Sequence, residues 1–426
     1  LMIDYIVNGG GSAFSYVKEM LVSGWSPRVL TYAISEPLGM LPFTAWRVIF
    51  TVFGCLTAVG ISKLVTSKRA ALNRTINWVI TAFMVIYPWS HMQSAGWVTT
   101  TVAYSFQLLF LVVALIPVKK IVRGERIAAW EYVLYIVMTI FAANVEQTLP
   151  ILALCFLGAI VYLAVKKKTH AFIWVQLILT VAIGAWMVLY TGSGGRVHSE
   201  TLMAMPDFGM LSTTQKLDMG FARMVYHFFF TPNVMMLVFA LLTAVLVFRA
   251  HKRFSYRAIG MIPLVAVTFL GVLKSITSTV FPGLNAMTAN VAPPEGSTSS
   301  LGARGAINLL NFESIQAYLA FGVMVICIVC LLLSMILIWS DRPRKAFLAV
   351  LFLLGCMGSV VMMGFSPSVY HSGERTFMYM YFGLIVVGVL LFKRLLKKQG
   401  KINQPMIWVL CVCAVLSFGN TIYLIG

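Results

Sequence analysis

The chain has 426 residues, of which 60% are hydrophobic and only 11% charged, with a mean hydropathy of +0.90. Soluble domains carry roughly 25% charged residues, so composition excludes a soluble enzyme and points to an all-α polytopic membrane protein. The net charge of +19 does not imply a nucleic-acid partner, because Lys and Arg fall in short clusters between apolar runs, where they face an anionic lipid leaflet as topology signals.

The first 36 residues are polar and too short to fold alone. They carry Asp4, Lys18, Glu19, Trp25, Arg28 and Glu36. Within them, SAFSYVKEMLV (12–22) places Phe14, Val17, Leu21 and Val22 on one face, the pattern of an interfacial helix that serves either as a membrane-hugging connector or as part of a site. No basic stretch or cleavage site precedes Asp4, so this is not a signal peptide, and one more helix is expected ahead of Leu1.

A helix needs about 20 apolar residues to cross the hydrocarbon core. That ruler predicts about twelve transmembrane helices, near 42–66, 75–90, 98–118, 128–143, 149–165, 171–191, 233–249, 259–281, 315–339, 346–364, 377–393 and 406–425. Alternate connections, 67–74, 119–126, 166–168, 249–257, 341–345 and 393–401, together with Lys63, hold 23 of the 32 Lys and Arg. The positive-inside rule makes them cytoplasmic. The opposite loops hold ten of the thirteen acids and include two long stretches, 192–232 and 282–314. The active face is therefore expected outside, residues 1–41 become the first outer loop, and 1–426 reads as one transmembrane domain. All seven cysteines lie in apolar spans, which argues against a disulfide framework.

Four outer clusters compete for a chemical role. Asp4 with Trp25-Ser26-Pro27-Arg28 offers an acid able to deprotonate an acceptor and a guanidinium able to hold phosphate bidentately, or else a solvated loop with a Trp anchor. PWSHMQSAGWVTTTVAY (88–104) crowds Trp89, His91, Trp97 and Tyr104 at the junction of two spans. Trp97, Thr100 and Tyr104 recur at helical spacing, as a sugar-stacking face or a packing face. AANVEQT (142–148) puts Glu146 close to hydrocarbon, where an unpaired carboxylate is costly, with Asn144 and Gln147 as donors and acceptors for hydroxyls. SPSVYHSGERTFMY (366–379) brings Tyr370, His371, Glu374 and Arg375 to the start of a span; Arg375 suits a phosphate, or an ion pair with Glu146. Arg47 and Lys274 can add charge to the same site or snorkel. Arg196, His198 and Glu200 alternate in sequence, a weak basis for metal ligation with only one His. No Walker motif, dinucleotide fingerprint or HExxH helix is present, so a donor already in the membrane fits better than a cytosolic nucleotide.

Asp4-Tyr5 followed by WSPR (25–28), WVTTTVAY (97–104), ANVEQ (143–147) and SPSVYHSGERT (366–376) resemble landmarks of the GT-C glycosyltransferases. The last three resemble landmarks of one bacterial branch, which includes enzymes that add side-chain sugars to streptococcal-type rhamnose cell-wall polysaccharides. The resemblance implies a GT-C-like fold in the bacterial plasma membrane and an inverting, extracytoplasmic transfer from undecaprenyl-phosphate-sugar to a polysaccharide acceptor. It also implies Asp4 as base and arginines on the lipid phosphate. Many relatives have two adjacent acids where Ile3 precedes Asp4 here, so Glu146 and Glu374 remain alternative bases. Arg375, Arg28, Arg47 and Lys274 are the candidate phosphate ligands; Trp97, Tyr104, Asn144, Gln147, Tyr370 and His371 are the candidate sugar or acceptor contacts. No metal or other cofactor is expected, because the leaving group carries one phosphate. The rivals are a lipid-linked oligosaccharide flippase, disfavoured by span centres almost bare of charge, and a polysaccharide polymerase or ligase, disfavoured by the few arginines in 192–232.

Overall fold

The computed structural model describes residue 15, residues 27–66, 70–95, 97–283 and 288, and residues 315–399 and 404–425. It is all-helical, without strands among these residues. In chain order the helices are α1 (Val29–Gly39), α2 (Phe43–Val65), α3 (Ala70–Ile86), α4 (Thr101–Arg123), α5 (Ala129–Ala143), α6 (Leu149–Val165), α7 (Ala171–Leu189), α8 (Thr191–Ala204), α9 (Thr213–Phe230), α10 (Val234–Ala250), α11 (Phe254–Val272), α12 (Lys274–Val280), α13 (Ile315–Ile338), α14 (Pro343–Phe365), α15 (Glu374–Leu396) and α16 (Gln404–Ile425).

Among the described residues, eight helices are long and apolar enough to cross a membrane: α2, α4, α7, α11, α13, α14, α15 and α16. A ninth is present if α9 and α10, which meet at a 78° bend, count as one broken span. The chain is thus a multi-pass membrane protein.

Two of these helices form the centre. The apolar stretches of α4 and α15 are each 89% buried, against 22% for α2 and α16, whose Val48, Val52, Leu56 and Val415 side chains point outward. A helix apolar all round belongs either in a core or in lipid, and the bundle uses both solutions. Many polar groups inside it are satisfied locally. Gln176 in α7 donates to the Ala114 carbonyl and to Thr139 Oγ1, both at 3.0 Å, and Thr57, Thr139, Thr180 and Thr243 bond the carbonyl one turn back.

The stretch 192–232, expected as a long outer loop, is helical over most of its length. Ser212 starts α9 with a capping box: its Oγ accepts from Gln215 N, and the Gln215 side chain accepts from Ser212 N at 2.8 Å. α9 then crosses the end of α14 backbone on backbone at Gly220 and Gly364. A Cβ on Gly364 would collide with the Lys216 carbonyl, and one on Gly220 with the Val361 carbonyl. Only glycine permits that approach, and it fixes the register of everything α9 carries. α1, within the expected first outer loop, is a helix that the sequence did not signal. Apart from residue 15, the interfacial helix expected at 12–22 lies outside the described residues, as does almost all of 282–314.

Candidate functional site: a polar centre at one end of the bundle

The short connection between α5 and α6 acts as a staple. Asn144 Oδ1 accepts from Leu30 N at 3.1 Å and Thr31 N at 3.3 Å, while its Nδ2 donates to the Pro27 carbonyl at 3.1 Å. It caps α1 from a distance of more than 100 residues in sequence, occupying N–H groups that a helix start leaves without intrahelical partners. Gln147 Nε2 donates to the Ser359 and Thr376 carbonyls at 3.1 and 2.8 Å, joining the ends of α14 and α15. Between them, Glu146 Oε2 takes both Nε and Nη2 of Arg28 at 2.7 Å. Burial alone would favour the neutral guanidine, but the Glu146 charge and hydrogen bond, together with the nearby Tyr104 and Tyr32 hydroxyls, outweigh it and hold the Arg28 pKa above its ordinary value. The alternative role weighed for Arg375 was an ion pair with Glu146; the structure pairs Glu146 with Arg28.

A second constellation gathers around Glu374 at the start of α15. Its Oε2 lies 2.6 Å from His91 Nε2 and its Oε1 3.8 Å from His227 Nδ1. On its other side, His227 Nε2 is 2.9 Å from the Tyr381 hydroxyl, which also accepts from Asn233 Nδ2 at 2.8 Å. With Asn233 donating, the tyrosyl proton is directed at His227 Nε2, and the imidazole proton then sits on Nδ1, facing Glu374. The His227 ring stacks on Phe377 at 3.9 Å with 6° between planes, and Tyr87 meets Tyr381 edge-on at 5.2 Å. The bend between α9 and α10 places Asn233 here: its Oδ1 accepts from Met236 N and caps α10.

Arg223 completes the centre. It sits on α9 one turn before His227 and is 5% exposed. Nη2 donates to the Gly373 carbonyl at 2.7 Å, and the guanidinium lies 4.9 Å from the Phe377 ring centroid. Its Nη1 is buried with no hydrogen-bond partner among the described residues, and neither has the Tyr87 hydroxyl. Gly373 presents its carbonyl through a backbone at φ 65°, ψ −169°, a region essentially reserved for glycine. Tyr370, close enough to feel the Arg223 charge, has its phenol pKa pushed up to about 12 by burial, against the pull of that cation. Tyr104, buried against Tyr379 at 6.2 Å, lies within electrostatic range of both Arg28 and Arg223 and so links the two constellations.

The sequence candidates divide accordingly. Arg28, Glu146, Asn144, Gln147, Tyr104, Tyr370 and Glu374 converge on one end of the bundle, and Arg375 lies within electrostatic range of Arg223. Asn144 and Gln147, expected to meet hydroxyls of a sugar, spend the hydrogen bonds described above on backbone groups. Arg47 is exposed on α2 with its guanidinium 4.2 Å from the Phe43 ring centroid, and Lys274 donates to the Tyr226 hydroxyl at 3.2 Å. His371 is exposed. Glu200 accepts from Ser368 Oγ at 2.9 Å and so holds the 366–372 turn, while His198 is exposed. Asp4 and the side chains of Trp97 and Arg196 lie outside the described residues. Sequence reasoning passed over Arg223, His227, Asn233, Tyr381 and Gly373. Arg223 and His227 at i, i+4 on an otherwise apolar face, followed by Thr231-Pro232-Asn233 as a break, were the signal available.

An oriented carboxylate with two imidazoles can accept and pass a proton, and a buried guanidinium with an open donor can hold an anion. No protein-family model, no curated protein and no solved structure matches this chain.

Proposed function

We propose that the chain is a GT-C-like membrane glycosyltransferase that moves a sugar from a polyprenyl-phosphate donor, undecaprenyl phosphate in the bacterial plasma membrane, to a cell-surface polysaccharide such as a rhamnose polymer. The observation that carries the reading is the meeting of Glu374, His91 and His227 with the half-satisfied Arg223 at the end of the bundle opposite the basic loops. The positive-inside rule puts that end outside the cell. The eight long spans, the bent α9–α10 pair and the shorter apolar α5 and α6 support a many-span membrane scaffold of this kind.

In this mechanism the acceptor hydroxyl loses its proton to a carboxylate as its oxygen attacks the anomeric carbon. The bond from that carbon to the phosphate oxygen breaks, the centre inverts, and polyprenyl phosphate leaves. Arg223, with Arg375 and Arg28 nearby, takes up the growing phosphate charge. No metal is required for a leaving group with a single phosphate. Two acids are candidates for the base: Asp4, through the resemblance, and Glu374, through its orientation by His91. Glu146 is committed to Arg28 and becomes a positioning residue.

The test is incubation of purified protein with polyprenyl-phosphate sugars and cell-wall polysaccharide, following released lipid phosphate and labelled polymer. Asp4→Asn and Glu374→Gln, made separately, identify the base by which one abolishes transfer while donor binding persists. Full activity in both would sink the acid-base assignment. One observation favours a second reading: a helix pair broken by 78° beside polar residues is a device of transporters. Vesicles that carry a lipid-linked sugar across the bilayer without making polymer would select it.

A further inference from the structure

At the opposite end of the bundle, a cavity of about 500 Å³ opens among the ends of α2, α4, α14 and α15. Its volume falls in the range of about 300–1,000 Å³ usual for small-ligand sites. The floor is apolar, with Leu64, Leu115, Val118, Phe352 and Leu390. The rim is not: Lys119, Arg123, Arg342, Lys345, Lys393 and Arg394 surround it, with Asp341 as the one acid of the lining.

Helix ends explain part of this charge. Lys119 donates to the Lys63 carbonyl, Arg123 Nη1 to the Thr66 carbonyl at 3.2 Å and Lys393 to the Val65 carbonyl at 2.8 Å, so these cations meet the carbonyl end of α2. Asp341 is gripped by both terminal nitrogens of Arg394, at 3.2 and 2.5 Å, with Arg342 Nε at 3.4 Å. Glu125, outside the lining, lies 3.7 Å from Arg123 Nη1, so two carboxylates face six cations, and each Lys and Arg has more donors than a single carbonyl uses. A greasy floor beneath a cationic rim, at the membrane depth of helix ends, matches one kind of molecule: an amphiphile whose head is a phosphate.

We propose that this cavity binds an anionic phospholipid of the adjacent leaflet, its phosphate held by the Arg123, Arg342 and Lys345 side of the rim and an acyl chain laid on the apolar floor. A free phosphate would satisfy the rim but leave the floor without a partner. The site is independent of the proposed glycosyl transfer, which takes place at the other end of the bundle. Basic pockets between transmembrane helices on the cytoplasmic side are a recognised setting for lipid headgroups.

Native mass spectrometry of the detergent-purified chain tests it, with phosphatidylglycerol, phosphatidylcholine or inorganic pyrophosphate added. Phosphatidylglycerol is expected to remain bound where phosphatidylcholine is lost, and pyrophosphate is expected neither to bind nor to compete. Arg342→Gln with Lys345→Gln should weaken phosphatidylglycerol retention about 30-fold at equal folding by circular dichroism and gel filtration. Val118→Trp, which fills the floor and leaves the charges, should weaken it as well. The proposal fails if the two lipids are retained equally, if both folded variants hold phosphatidylglycerol like the parent, or if pyrophosphate displaces it.

Discussion

Removing the cap that Asn144 places on α1 gives the most direct test of how the polar centre is assembled. Asn144→Ala strips Leu30 N and Thr31 N of their acceptor and the Pro27 carbonyl of its donor. Loss of an N-cap costs about 1 kcal/mol, within a range of about 0.5–2. At RT of about 0.59 kcal/mol the central value is a roughly fivefold rise in the population of locally opened α1. Glu146→Gln removes the charge opposite Arg28. The Glu146 side chain is 41% exposed, so a fully buried-pair penalty does not apply, and solvent screening brings the expected cost to about 1 kcal/mol. Both side chains hold the same few residues, so their effects should fall short of additive in the double variant. Hydrogen–deuterium exchange on peptides covering Val29–Gly39 reads this opening directly, with α4 as an internal reference because it is 89% buried. Exchange in α1 should rise about fivefold in each single variant while α4 stays unchanged. Unaltered α1 exchange in Asn144→Ala would refute the staple.

Other substitutions separate the remaining contributions. Tyr381→Phe leaves Asn233 Nδ2 and His227 Nε2 without their shared hydroxyl, which should cost about 1–3 kcal/mol in a thermal or denaturant shift. Tyr87→Phe removes a hydroxyl that has no hydrogen-bond partner among the described residues and should leave stability unchanged or raise it; a loss of transfer in that stable variant would mark the hydroxyl as a substrate contact. Gly364→Ala pushes a methyl into the Lys216 carbonyl and should cost about 1–3 kcal/mol, together with weaker donor binding as Arg223 shifts. Arg223→Gln should raise the KM for a polyprenyl-phosphate sugar, with Arg223→Lys recovering only part of it, because a lysine restores the charge without the planar fork that reaches Gly373. A KM unchanged in both would remove Arg223 from the phosphate site.

The sequence displayed the long apolar helices, because twenty apolar residues in a row are hard to hide and basic loops mark their ends, although eight of the about twelve spans expected, or nine with the bent pair, are long and apolar enough among the described residues. It also pointed to the end of the bundle where Arg28, Glu146, His91 and Glu374 gather. It did not show what each polar residue there is for. Asn144 and Gln147 look like free hydrogen-bonding groups in ANVEQ, and only the fold reveals that α1 needs a cap and that the Thr376 carbonyl needs a donor. The pairing of Glu146 with Arg28 rather than Arg375 depends on a register set 118 residues away, beyond any local pattern. Arg223 was hidden for a different reason: with Lys216 and Asp218 it made α9 look like a polar loop, although the same residues at helical spacing are the mark of an amphipathic helix.

The start of α15 explains why these distant pieces meet at one place. Residues 374, 377 and 381 recur at helical spacing, so Glu374, Phe377 and Tyr381 share a face, and that face meets His227 three times: through the carboxylate facing its Nδ1, a ring stack and a hydrogen bond. The residues between them look the other way. Thr376 offers its carbonyl to Gln147, and the Tyr379 hydroxyl donates to the Ala103 carbonyl at 3.3 Å. Gly373, just ahead, turns its carbonyl toward Arg223. Phe377 therefore contacts an imidazole and a guanidinium with the same ring, which sets the spacing between the group that can move a proton and the group that can hold an anion. Replacing Phe377 with Leu keeps an apolar side chain of somewhat smaller volume but removes both ring contacts. It should loosen that spacing and lower kcat more than it lowers stability, a split that a purely packing role for Phe377 would not produce.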